Sequence, residues 1–525
     1  MKLLNTLDVS KSLGPDGLHP KALKELAGVL LKPLATIFNV SLSTGKVPEL
    51  WKIGNITALF KKGDKTHPGN YRPISLTSVV CKLFEKLIRS IMITHMRVNN
   101  LFSKNQFGFI SGRSTSLQLL KVMDEWTEVL DLGGCIDSVY MDFMKAFDKV
   151  PHRRLIGKLH SYGFSMEVIN WIEDFLRGRS QRVIVNGVPS SRHDVTSGIP
   201  QGSVLGPLLF VIYINDLPTC VDARIYLFAD DTKLFQEISC VDDINNLQID
   251  LDRLQDWSDT WLLKFHPDKC KVLTVHTTKK HHLLLSRNYY LLDQNGKRVV
   301  LENSSGEKDI GVLVDCNLSF SKHIQQQVNK ANSIMGLIRR TYSYLDEQSF
   351  RCLFQALVRP HLEYAGSVWS PYKLSDIDSV ENVQRRATKL IPTLKNLEYS
   401  DRLRKLNMPT LKYRRLRGDM IEVYKIISGV YDEDVTQGFL ELSTTTHTRG
   451  HSKKLKKKSC RLDVRKYSFT CRVVDVWNSL PENVVSVGNV FQFERALDKF
   501  WTDQEVKYNY KSGLHTSYPG GHSQP

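Results

Sequence analysis

Apolar residues recur at helical spacing over residues 20–45, where Leu23, Leu26, Leu30, Leu34, Ile37 and Phe38 follow the loop Gly14-Pro15-Asp16-Gly17. This predicts a helical entry segment. The period then shifts toward two. Residues 55–60 read as a strand that breaks at Lys61-Lys62-Gly63-Asp64 and resumes with Tyr71-Arg72-Pro73-Ile74-Ser75-Leu76. Helical spacing returns over 79–99 and 115–130, on either side of the glycine-punctuated stretch Gln106-Phe107-Gly108-Phe109-Ile110-Ser111-Gly112-Arg113. Strands are predicted at 138–143, 181–186, 224–228, 232–235, 271–275 and 310–314. Helices are predicted at 166–177, where Ser165 can cap, and at 242–262. Such alternation predicts an α/β or α+β core. Beyond Ser319 the pattern is mainly helical, with amphipathic stretches at 321–358, 376–391 and 410–428. Residues 444–458 are polar and basic and read as a linker, and the Gly-, Ser-, His-, Tyr- and Pro-rich tail after Trp501 is expected to be disordered.

A chain of 525 residues exceeds one compact core and is expected to divide into several domains. The formal charge of +17 suits a polyanionic partner, either nucleic acid or an anionic membrane surface. Residues 396–470 hold 17 Lys or Arg against 9 Asp or Glu, a surplus of eight that concentrates nearly half of that charge in a short stretch. No uninterrupted apolar run approaches the roughly 18 residues that span a bilayer, so no membrane partner is expected. Nine scattered cysteines without a CxxC pair point to free core thiols in a reduced, intracellular protein rather than a disulfide framework or a zinc site. Lys453-Lys454 and Lys456-Lys457-Lys458 form a basic run compatible with a nuclear localisation patch, a phosphate-binding stripe or a solvated face.

Candidate chemistry lies at the strand ends. Asp230-Asp231 follow the apolar strand 224–228, and two adjacent ionised carboxylates repel unless a cation neutralises them. A solvated Asp-Asp turn is the bland alternative. Asp142 ends a second apolar strand, and if the two strands lie side by side, Asp142 and Asp230 converge and could clamp two hard cations about 4 Å apart, as phosphoryl transfer requires. Asp148 competes in this region but is expected to cap the turn before Pro151. The loop from Gly198 to Pro207 (Gly198-Ile199-Pro200-Gln201-Gly202-Ser203) leads into an apolar helix. Its glycines permit close backbone approach, and Gln201 offers donor and acceptor to a template base or sugar.

Tyr140-Met141-Asp142-Phe143-Met144-Lys145-Ala146-Phe147-Asp148, the Gly198-to-Pro207 block and Phe228-Ala229-Asp230-Asp231 resemble, in order and spacing, the palm motifs of reverse transcriptases. The resemblance is nearest to the jockey-like, non-LTR retrotransposon branch. Gly14-Pro15-Asp16-Gly17, Asn70 to Leu76, Gln106 to Phe109 and Trp257 through Lys271 support that choice. It implies a right-hand polymerase, an antiparallel palm sheet flanked by helices, with an entry segment at 1–41, fingers and palm at 42–315, a thumb-like region at 316–395, a basic helical region at 396–505 and a tail at 506–525. RNA-templated addition of dNTPs to a DNA primer is the implied reaction, with two Mg²⁺ ions that Mn²⁺ can replace, and the nucleus is the expected location.

By the same resemblance, Asp142, Asp230 and Asp231 hold the metals together with the main-chain carbonyl of Phe143. Lys61 or Lys62 and Arg72 grip the incoming triphosphate. Phe147 is the steric gate against a 2′-hydroxyl, and Lys269 protonates the leaving pyrophosphate. Gln201 contacts the nucleotide, while Gly198, Pro200, Gly202 and Gly311 lie along template and primer. The helical motifs Arg359 to Ala365, Val368 to Pro371, Val383 to Ala387 and Val476 to Pro481 also look typical of this branch, without assigned chemistry. An upstream endonuclease, usual in full-length elements, is not part of the sequence, so a truncated element is expected. A decayed nucleic-acid-binding remnant and an RNA-templated RNA polymerase are the alternatives; the intact acids argue against the first and Phe147 against the second.

Overall fold

Five strands form the central sheet of the computed structural model, which describes residues 1–277, 287–443 and 450–515. Their order is Glu302–Ser304, Lys271–Val275, Ile136–Met141, Asp231–Glu237 and Arg224–Phe228. All neighbours are antiparallel except the Glu302–Ser304 edge, which runs parallel to Lys271–Val275. Side chains alternate across a strand, and here both faces are covered. Ile136 faces one apolar cluster with Phe235, Leu273 and Trp126, whereas Val139 and Met141 face another with Leu234, Ile225 and Val272. That double burial explains why these strands read as nearly continuous apolar runs.

A second sheet pairs Tyr71–Leu76 with Ile53–Phe60, which runs parallel to Arg179–Val185; the short strands Val188–Pro189 and His193–Val195 complete it. Its far end is exposed, leaving the turn with Lys61, Lys62 and Arg72 in solvent. Helix Val79–Val98, capped by the Ser78 hydroxyl on the Cys81 amide at 3.2 Å, buries Val80, Phe84, Ile88 and Met92 behind the two sheets.

The entry segment is helical as expected, over Pro20–Glu25 and Ala27–Thr44. Ala27, Leu34 and Ser41, seven apart, face inward, and Trp171 Nε1 donates to Ser41 Oγ at 2.9 Å. Val29, Ile37 and Val40 remain exposed. By length and composition this helix could cross a membrane, which the search for an uninterrupted apolar run missed because Lys32, Asn39 and several hydroxyl residues punctuate it.

The helices from Ser321–Thr341 to Val490–Phe500 share one apolar cluster, in which Trp369, Leu403, Tyr424, Trp477 and Trp501 are all buried. Two expectations fail here. Residues 450–458 are packed rather than a free linker: Leu455 is 3% exposed, its amide bonds Asn478 Oδ1 at 2.8 Å, and it bridges to Leu442. The first part of that linker, 444–449, lies outside the described residues. The tail is also ordered as far as residue 515, because Val506 and Tyr510 are buried and the Thr410 amide bonds Lys507 O at 2.8 Å; residues 516–525 lie outside the described residues. Composition missed both because a few apolar or aromatic anchors suffice to pin a polar segment. All nine cysteines are free, but Cys240 and Cys352 are exposed rather than in the core. The basic run is tied down by exposed pairs, Lys456 and Lys458 to Glu441 and Lys457 to Asp475, each worth little by itself.

Candidate active site

The hairpin closes with Phe228 opposite Asp231, so Ala229 and Asp230 form its two-residue turn. Such turns demand positive φ, and Ala229 sits at 57°, which costs a residue with a Cβ on the order of 1 kcal/mol. Gln106 holds it there. Its Oε1 accepts from the amides of Ala229 at 2.9 Å and Gly108 at 2.7 Å, and the side chain is fully buried. Phe107 N donates to Leu227 O at 2.7 Å and Leu227 N to Asn105 O at 2.9 Å, stitching the segment to the strand. A Cβ on Gly108 would stand 2.4 Å from Ala229 N, so the approach needs glycine. Sequence reading used this segment only as a family marker. The signal available in the sequence was an amide side chain two residues before a glycine within an otherwise apolar stretch.

Asp142 lies one residue past the ladder, where Met141 pairs with Thr232; this sets it at the same sheet end as Asp230 and Asp231. Its own carbonyl accepts from His266 N and Lys264 O accepts from Met144 N, both at 2.8 Å, while the Phe143 and Phe265 rings stack at 4.4 Å. Neither main-chain bond uses the Phe143 carbonyl. Lys269 Nζ stands 3.7 Å from Asp142 Oδ1, so the structure brings this lysine to the acids as well.

Two of the three carboxyls, Asp230 and Asp231, are pushed above their ordinary values. Burial and then Asp142 push the Asp230 carboxyl above its ordinary value, against Arg72 and Lys61, which pull it down. Asp231 is pushed up to about 6, first by the desolvation of its place against the sheet end, although its side chain is exposed, then by Asp230, Asp309 and Asp142. Of the two adjacent lysines, Lys61 is among the charges that pull the Asp230 carboxyl down.

Phe147, Gln201, Gly198, Pro200 and Gly202 gather in an adjoining cluster. The Phe147 ring stacks on Phe210 at 4.3 Å, and its carbonyl accepts from Ile199 N at 2.8 Å. Gln201 O accepts from Ser75 N at 2.7 Å, joining the loop to the strand that carries Arg72. That contact requires Gly202, whose φ is 116° and where a Cβ would stand 2.5 Å from Ser75 O. Asp148 does not cap the turn before Pro151: its Oδ1 accepts from Gln201 Nε2 at 2.9 Å. One donor of Gln201 is thereby already engaged. Ser75, Asp148, Gly198, Pro200 and Gln201 line a cavity of about 360 Å³ that neither Phe147, Gly202 nor the three acids line; the acids sit on an open face.

Two further residues escaped the sequence reading. Glu85, fully buried, accepts from Val204 N at 2.7 Å and Leu205 N at 3.0 Å, fixing the loop where it enters helix Gly206–Ile214. Burial raises its pKa, and the two amides and Arg179 oppose the shift. An acid on the apolar stripe of a helix was the available signal. The second is Tyr364, whose hydroxyl donates to Ile310 O at 2.7 Å and whose ring packs on Gly311. Residues 310–314 are therefore not one strand: Ile310 and Gly311 form the turn between Gly306–Asp309 and Val312–Asp315. A buried pair, Lys233 with Asp309, ties this hairpin to the central sheet.

Among the described residues no three His, Cys, Asp or Glu side chains are already drawn together as a metal cage. The donor chemistry nonetheless fits a hard divalent cation: three carboxylates at one sheet end, two of them pushed up first by burial and then by neighbouring acids.

Residues 60–305 match the family described as reverse transcriptase (RNA-dependent DNA polymerase). The chain is 27% identical over 400 residues to the probable RNA-directed DNA polymerase from transposon X-element of Drosophila melanogaster, covering 73% of this chain and 42% of that protein. It is 28% identical over 402 residues to the RNA-directed DNA polymerase from mobile element jockey of the same species, covering 74% and 43%. To the probable RNA-directed DNA polymerase from transposon BS it is 29% identical over 404 residues, covering 74% and 44%. The chain thus spans less than half the length of the curated relatives it matches.

Proposed function

Because residues 60–305 are a reverse transcriptase domain of the non-LTR retrotransposon kind, we propose that the chain extends a DNA primer with dNTPs on an RNA template. The observation that carries this reading is the convergence of Asp142, Asp230 and Asp231 at one sheet end, with Lys269, Lys61 and Arg72 around them. The central sheet is then the palm, the sheet of Ile53–Phe60 and Tyr71–Leu76 the fingers, and the helices from Ser321–Thr341 onward the thumb with a basic C-terminal region.

Asp142, Asp230 and Asp231, with the Phe143 carbonyl, would hold two Mg²⁺ ions, or Mn²⁺ in their place. When bound, these ions lower the pKa of the primer 3′-hydroxyl and neutralise the pyrophosphate. Arg72 and Lys61, on the exposed end of the fingers, grip the triphosphate, Arg by its fork and Lys as a point charge. Gln201, Ser75 and the loop at Gly198, Pro200 and Gly202 fix the strand bearing Arg72 against the palm. Phe147, braced by Phe210, closes the sugar side against a ribose 2′-hydroxyl. Lys269 is placed to give a proton to the leaving group, and Gly311 sits on the turn that meets the primer end. The work would belong in the nucleus, where a mobile element meets its target.

Primer extension on poly(A) with oligo(dT), Mg²⁺ or Mn²⁺ and labelled dTTP tests this, comparing the chain with Asp230→Ala. Extension by the parent and none by the variant is expected. A folded parent that binds the duplex without extending it would instead mark a decayed binding protein.

A further inference from the structure

Away from the acids, in the C-terminal region, a cleft of about 950 Å³ is lined by Arg385, Lys389, Lys395, Arg402, Arg404 and Lys511. Glu398, Asp503 and Glu505 also border it, leaving an excess of three cations on its wall. Three tyrosines interleave with them. Arg385 lies over the rings of Tyr399 at 5.6 Å and Tyr510 at 5.2 Å, Arg402 over Tyr399 at 5.5 Å, and Arg404 over Tyr508 at 5.4 Å. Arg404 also pairs with Asp401 at 2.9 Å.

Arg402 is the unusual member. Only 2% exposed, it presents Nε and Nη1 to the interior without a hydrogen-bond partner. A guanidinium so stripped of water costs several kcal/mol unless an acceptor replaces the water. Among the described residues neither Arg402 nor Arg385 has a carboxylate within ion-pair distance, although both flank the Tyr399 ring; the Tyr510 hydroxyl is the acceptor that Arg385 finds. The tail supplies that hydroxyl: residues 505–511, polar in composition, fold back so that Tyr508 and Tyr510 wall the cleft, with Tyr510 Oη donating to Asp378 at 2.8 Å.

A half-buried guanidinium, Arg385, backed by the buried charge of Arg402, with exposed lysines at the rim and aromatic rings along the wall, forms the pattern that grips a single nucleic-acid strand through phosphate and base together. We propose that this cleft is a second binding site for single-stranded nucleic acid, separate from the catalytic face, with Arg385 on one phosphate, Lys389 and Lys395 on its neighbours, Arg402 adding its buried positive charge from beneath, and Tyr508 as a stacking platform. The site holds the strand's backbone, so template RNA and displaced DNA are both chemically competent. It does not depend on polymerase activity.

The test is photo-cross-linking of the full chain to 15-mer oligouridine carrying 4-thiouridine, and to its 5-iododeoxyuridine DNA counterpart, with a saturating hairpin primer–template present to occupy the catalytic face. Cross-links in peptides spanning 395–404 and 505–511 are expected. Lys389→Gln/Lys395→Gln, both exposed, should weaken the second strand about tenfold and lower the slope of log affinity against log salt by roughly 1 to 2. Tyr508→Ala should cost about fivefold or more. RNA bound in preference to DNA identifies the template as occupant, and equal binding identifies any strand. Complete displacement of the strand by the duplex, or parental affinity in both variants, overturns the site whether or not the chain extends a primer.

Discussion

The molecule carries two like-charge clusters of opposite sign, and they are built differently. At the sheet end, Asp142, Asp230 and Asp231 sit on strands whose register sets their positions, and a strained turn is held by a fully buried glutamine. In the C-terminal cleft, Arg385 and Arg402 lie on helices and lean on tyrosine rings, one of which arrives from the tail. A metal site must fix its oxygens within a few tenths of an ångström, so it is mounted on backbone ladders. A strand of nucleic acid tolerates sliding, and a cleft of long side chains over aromatic faces is adequate for it. Both clusters are uncomfortable without a counter-charge, and both therefore point to a ligand.

The largest effect that would break the comparison is at the acids. Asp230→Ala should lower primer extension by about three orders of magnitude or more, on the order of 4 kcal/mol in the barrier, while leaving cross-linking to the basic cleft at the parental level. Loss of both together would mean that the two regions are one site.

Next is the support beneath the acids. Gln106→Leu leaves the amides of Ala229 and Gly108 without their acceptor, at a cost of about 1–3 kcal/mol each when buried. Extension should fall about 10- to 100-fold in kcat with the KM for primer–template unchanged. A drop in melting temperature with kcat intact would show that Gln106 serves only stability. The Lys389→Gln/Lys395→Gln pair, about tenfold on strand binding, probes the other cluster in the same spirit.

The smallest effect concerns the span between them. His323, 1% exposed, accepts the Leu313 amide at 3.1 Å through Nδ1 and sets its ring edge-on to Trp369 at 5.4 Å, so it joins the 306–315 hairpin to the helices. Burial and then Lys308 push it down to about 4. Its neutral form is the folded one. The unfolded chain takes up the proton near 6.5, so the contribution is complete above that pH and drains away as pH falls toward 4. Denaturant midpoints should fall as pH is lowered across that window, and His323→Gln should remove the fall. A pH slope identical in parent and variant would contradict the assignment.

Much of this was legible in the residues. Short, nearly continuous apolar runs marked the central strands, and Asp142, Asp230 and Asp231 stood out because charged residues at the ends of apolar strands need a reason to be there. The resemblance to reverse transcriptases rested on those same positions, and the family match over 60–305 agrees with it. What the residues could not reveal were roles that depend on long-range meetings. Gln106 becomes a clamp only because residues 105–107 lie along Leu227, 120 positions further on. Glu85 becomes a loop anchor only where Val204 arrives, and Tyr364 a turn clamp only where Gly311 does.

The sequence by itself determined which segments form strands and helices, where the acids fall on them and what chemistry three such acids can perform, since periodicity and side-chain type are local properties. Tertiary structure alone decided which acids share a sheet end, and that a polar tail would fold back to put Tyr510 against Arg385 and Tyr508 against Arg404. The physical reason is the same in each case. Strand register, desolvation and the field between charges depend on distance in space, and distance in space is set by the packing of parts far apart in the chain.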